Sequence, residues 1–192
     1  MNKFTKTLLV LLLAVNFTNL MAQADTNEDG HEVQINIPEV AILDIEPAGN
    51  TITLAPEEPT EAGLALDFTN ANNDDLWLNY SSIVGSTTDP SRTIDVKIED
   101  GEAVPSGMVL KVTAAADNSS GDGVMGTPVG EITLSNTAQN IITGIGSCYT
   151  GSPEDNGHQL TYVLELDAAA GSYGQIDFDD AASITIIYTI TE

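Results

Sequence analysis

The sequence predicts an all-β fold: an antiparallel Greek-key-type β-sandwich of roughly 8–11 strands behind a cleaved signal peptide. Three observations predict it. Short runs rich in Ile, Val, Thr and Tyr alternate apolar and polar residues. Clusters of Gly, Pro, Asn and Asp, such as "NANNDD", "NSSGDG" and "SPEDNG", separate those runs. No stretch shows the 3.6-residue repeat of an amphipathic helix.

Residues 1–24 carry the three regions of a secretion signal: Lys3 and Lys6, then "LLVLLLAV", then small residues at Ala22 and Ala24. The apolar run is too short to span a bilayer, which needs about 20 residues. Cleavage after Ala24 leaves 168 of the 192 residues and moves the net charge from −24 to −26. Residues 25–31 read as an acidic flexible leader and 32–192 as one β-sandwich domain. Arg92, Lys97 and Lys111 are the only Lys or Arg residues beyond the signal. Such a charge excludes nucleic acid and anionic membranes as partners and favours solubility. Cys148 is the single cysteine, so neither an internal disulfide nor a cysteine-type zinc site can form.

The strands are expected at 32–37, 40–45, 51–55, 64–69, 76–84, 93–98, 108–114, 129–134, 140–145, 160–166 and 183–191. In "SITIIYTIT", Ile184, Ile186, Tyr188 and Ile190 share one face, as a half-buried strand requires. Ile94, Val96 and Ile98 alternate in the same way with Asp95 and Lys97. "APEEPTEAG" (55–63) reads as a surface connection and 114–128 as a long loop.

Candidate sites are sparse. Asp25 to Gly30, "DTNEDG", matches the opening of an EF-hand loop, but position 12 would be Asn36, which is no bidentate carboxylate. Asp117, Asn118 and Asp122 offer loop oxygens to a structural calcium, the only cofactor the sequence suggests. The same residues suit turns, as do Asn70, Asn72, Asn73, Asp74 and Asp75. Trp77 is a candidate carbohydrate contact, weighed against the core position usual for a lone tryptophan in a β fold. Only His31 and His158 could serve a triad, no G-x-S-x-G elbow is present, and Cys148 reads as a small buried residue rather than a nucleophile. With 29 acidic residues, no carboxylate pair stands out for glycoside hydrolysis.

Gly171, Tyr173, Ile184, Ile186, Tyr188 and Ile190, in "GSYGQIDFDDAASITIIYTI", resemble the C-terminal pattern of secreted bacterial β-sandwich domains of the pilin-like and spore-coat-U-like kind. The pattern also resembles the WxL cell-surface domain, although "LWL" (76–78) stands where no WxL tripeptide occurs. The resemblance covers the last fifth of the chain. It implies a subunit of a surface filament or coat built by pairing strands between subunits. Val33, Ile35 and Ile37 in "HEVQINIP" are then candidates for strand exchange, or else form the first strand of their own sheet. The resulting expectation is an exported, non-enzymatic structural or adhesive surface protein, periplasmic, cell-surface or extracellular. Its partners would be copies of itself or other surface proteins, with no membrane insertion. The alternatives are a calcium-dependent carbohydrate-binding module and a secreted hydrolase.

Overall fold

A computed structural model describes residues 27–118, 120–152 and 155–191. The signal-peptide expectation falls outside them. The chain divides into a unit ending at Asn36 and a unit comprising Ile37–Glu192.

Eleven strands are formed among the described residues: β1 (Val40–Glu46), β2 (Asn72–Ile83), β3 (Arg92–Ile98), β4 (Met108–Ala114), β5 (Asp122–Gly123), β6 (Thr127–Pro128), β7 (Ile132–Thr133), β8 (Gln139–Ile145), β9 (Cys148–Tyr149), β10 (His158–Leu166) and β11 (Ile186–Ile190). The only helical pieces described are two single 3-10 turns, Ser172–Gln175 and Phe178–Asp180. All strand pairs are antiparallel. The all-β sandwich expected from alternation is what forms.

The larger sheet runs β5-β9-β2-β10-β4-β7, with β1 also on β2. The smaller sheet runs β11-β3-β8-β6. Long β2 organises the larger sheet. One of its edges takes β1 from Trp77 to Ile83. The other is shared between β10, along Asn72–Leu78, and β9, at Ser81 and Ser82.

Core rows follow the two-residue period. Leu76, Leu78 and Tyr80 of β2 and Leu160 and Tyr162 of β10 share one cluster with Ile94, Val96 and Ile98 of β3 and with Ile141, Ile142 and Ile145 of β8, where register shifts against β3 accompany a broken period. Burying each such side chain stabilises the fold by about 1.5–3 kcal/mol. Two rows begin with polar residues that are themselves buried, Arg92 in β3 and His158 in β10. Gly157, just before His158, has φ +78°, and a Cβ there would lie 2.3 Å from the Leu78 carbonyl oxygen. Only glycine permits both that backbone and that approach.

Several local expectations are corrected. Residues 32–37 form no strand, and β1 starts only after Pro38, which cannot donate to a ladder. Residues 51–55 keep their alternation, with Ile52 and Leu54 packed on the core and Thr51 and Thr53 exposed, but they join no ladder. Residues 64–69 contribute only an isolated bridge, Asp67 to Glu57. Conversely, polar Asn72–Asp75 opens β2, opposite a β-bulge between Leu160 and Tyr162. Asn73 Nδ2 donates to Asp75 Oδ2 (2.7 Å), so side chains that suit turns here sit along a strand. Trp77 is not a core residue: it is half-buried on the outer face of β2, in register with Glu46 and Gln159.

Candidate functional site

An open groove of about 740 Å3 runs through the Ile37–Glu192 unit. Its floor is the inner face of the larger sheet: Leu76, Leu110, Tyr162 and Leu164. One wall comes from Ile45 and the alternating segment bearing Ile52 and Leu54, the other from Ile184, Ile186 and Tyr188. None of the lining residues is charged. The wall residues pack on the core but stay only partly buried. They have the chemistry of core residues without full cover.

A pair of tyrosines ties floor to wall. Tyr162 Oη and Tyr188 Oη lie 2.7 Å apart and join the two sheets. Burial raises the Tyr162 hydroxyl to about 12 and pushes Tyr188 up as well, so both stay protonated hydrogen-bonding groups near neutrality.

A second polar cluster is closed to solvent. His158 is 0% exposed. Its Nδ1 lies 2.8 Å from the Ala115 carbonyl oxygen and its Nε2 2.8 Å from Tyr80 Oη. Tyr80 Oη also lies against the Met125 carbonyl. The two rings stack with centroids 5.7 Å apart. Burial lowers the His158 pKa, outweighing its hydrogen bond to Ala115 and the charge of Asp117. Burial, with a smaller contribution from Asp117, raises the Cys148 thiol to about 11. In the neutral ring Nδ1 donates to Ala115 and Nε2 accepts from Tyr80. With the nearby thiol buried and protonated this is a packing arrangement; a nucleophile needs an accessible thiolate.

Among the described residues no group of three or more His, Cys, Asp or Glu side chains is arranged to hold a metal ion. Asp117, Asn118 and Asp122, the candidate calcium residues, have these surroundings. Asp117 sends its charge toward Tyr80, Cys148 and His158. Asn118 is exposed, its backbone N–H donating to the Gly157 carbonyl (3.0 Å). Asp122 Oδ1 accepts from Gly123 N (2.8 Å), an ordinary turn contact. Asp29 does the same for Gly30 N (2.8 Å) in the leader.

Every cation of the described chain is paired. Arg92 is 1% exposed; it donates to Glu39 Oε1 and, over 2.7 Å, to the Thr191 carbonyl. Lys97 meets Asp100 (2.9 Å), and Lys111 meets Glu165 (2.8 Å) and Glu131 (3.0 Å). The Lys111 pKa is raised by those two partners, Glu165 first.

Val33, Ile35 and Ile37 are 68%, 80% and 78% exposed. Three branched apolar side chains in such short compass are an unusual burden for an acidic chain. The alternation of 31–38 signals the exposed segment; the groove, assembled from five distant stretches, had no local signal. No family model, curated protein or solved structure matches the chain. No helix among the described residues is long and apolar enough to cross a membrane.

Proposed function

We propose that this protein is an exported, non-enzymatic structural or adhesive subunit of a surface assembly. It joins to further copies through residues 31–38. The observation that carries the reading is the exposure of Val33, Ile35 and Ile37 on alternate positions of a segment with no ladder of its own. Leaving that surface in water costs free energy, which burial in a neighbour recovers. An extended segment with one apolar face is suited to β-augmentation: main-chain bonds supply affinity and alternate side chains supply register. The reading is also supported by the secretion-type leader, by the closed, hydrogen-bonded state of His158 and Tyr80, and by the burial of Cys148.

Analytical ultracentrifugation of the exported protein over a wide concentration range tests this. Association that rises with concentration, and disappears in a variant with Val33, Ile35 and Ile37 all changed to Asp, is the expected result. A wild-type chain that stays monomeric at high concentration would sink the reading.

A carbohydrate-binding module is the second reading, favoured by the half-exposed indole of Trp77 on the outer face of β2 between Glu46 and Gln159. Calorimetry against a glycan panel with and without calcium decides it. Heat that Trp77→Ala abolishes would support it, and silence across the panel would remove it.

A further inference from the structure

We infer that the groove between the two sheets is the acceptor for residues 33–37 of a second copy of this chain, seated along the free edge of β11. The inference rests on the self-association reading and adds to it the receiving surface and its register.

Three observations carry it. First, β11 is an edge strand: it pairs with β3 and, among the described residues, with no other strand. The opposite wall, 51–55, is extended and alternating, yet no backbone hydrogen bond of those residues is seen among the described residues. Unpaired edges on both sides of an apolar channel are templates for an added strand. Second, the floor is the inner face of the larger sheet and no charged side chain lines the channel. It has the character of an interior that one more strand would close. Third, the occupant has the matching period. Val33, Ile35 and Ile37 recur every about 6.6–6.8 Å along an extended chain, the same repeat as Ile184, Ile186 and Tyr188. Seated there, the segment becomes the fifth strand of the smaller sheet and its three side chains cover Leu76, Leu110 and Leu164.

Charge sets a further condition. Two exported copies, each with a net charge of −26 after cleavage at Ala24, repel, and the docking surface offers no cation to offset this. Association through it therefore strengthens as salt rises and screens the repulsion. An assembly held by ion pairs would weaken instead.

A complementation experiment tests the site. The donor variant carries Val33→Asp, Ile35→Asp and Ile37→Asp; the acceptor variant carries Ile186→Asp. Each alone should sediment as a monomer. Mixed, they should form a closed 1:1 dimer, because one good segment meets one good groove, while wild type forms open ladders. Should Ile186→Asp fail to fold, a synthetic peptide of residues 31–38 is titrated into the donor variant. It should protect the 186–190 amides that do not bond β3 from exchange, and a peptide with Ile35→Asp should not. Ladders that persist in the acceptor variant, or peptide protection elsewhere, would overturn the groove while leaving self-association standing. So would a wild-type monomer whose own residues 33–37 are protected. A monomer with those residues unprotected would remove the self-association reading itself.

Discussion

The two sides of this sandwich are built from the same residues and end in different states. On the closed side, Leu78, Ile94, Ile141, Ile142, Ile145 and Leu160 are fully buried. On the groove side, Ile45, Ile52, Leu54, Ile184, Ile186 and Tyr188 point at the same core and remain half covered. Most residues of both sets alternate with polar neighbours, Ile141–Ile142 and Ile186–Ile187 being exceptions. The difference is the count of strands above them: β3 and β8 cover the closed side, while the smaller sheet stops at β11 on the other. Alternation thus states which face turns inward. It does not state whether anything lies over that face.

The contrast should appear most strongly in truncations. Leu78→Ala leaves a cavity walled on every side and should cost about 3 kcal/mol, a fall in Tm of roughly 10 °C. Ile186→Ala, on the open wall, should cost about 1 kcal/mol in the monomer, because water already reaches it. Equal losses in thermal melts of the two variants would erase the distinction between the sides. Arg92→Ala belongs with the closed side. It leaves the Thr191 carbonyl and Glu39 without their partner and should cost about 3 kcal/mol, whereas Glu39→Gln should cost under about 1 kcal/mol, since the Glu39 side chain is 63% exposed.

Acid should act next, through His158. Its folded pKa lies below the unfolded value of 6.5, so the unfolded chain takes up the proton first. Stability is therefore intact above pH 6.5 and falls as the pH drops from there through the folded value. Tm measured from pH 8 to pH 5 should decline, and His158→Gln should flatten that slope while lowering Tm overall. A wild-type slope unchanged in the variant would assign the acid sensitivity to other groups. Asp122→Asn should give the smallest change, within about 0.5 kcal/mol, since its carboxylate meets only a local N–H in the structure. A calcium-induced rise in Tm that this variant loses would show that the turn does hold an ion.

Much of the fold was legible because period and partner coincide. "MVLKVTA" and "TIDVKI" became β4 and β3 almost to the residue, each flanked by two neighbours. Residues 32–37 and 51–55 carry the same signal and form no ladder, because pairing is settled by distant strands. The start of β2 failed in the opposite sense. "NNDD" has turn chemistry, yet β10 supplies an edge against which it lies extended. The exposed segment of the candidate site could be read from Val33, Ile35 and Ile37. Its proposed acceptor could not, since Leu54, Leu110, Leu164 and Ile186 meet only in three dimensions. Arg92 and His158 lay just outside the strands expected at 93–98 and 160–166, and only the phase of the observed strands reveals that each opens a core row.

Cys148 gives the molecule a built-in gauge. Its backbone pairs with β2 and β5, and its thiol is buried in the core cluster and protonated. A maleimide-type reagent reaches it only when the structure around it opens, so labelling times local breathing against the melting of the whole. With no second cysteine in the sequence, the reading has a single source.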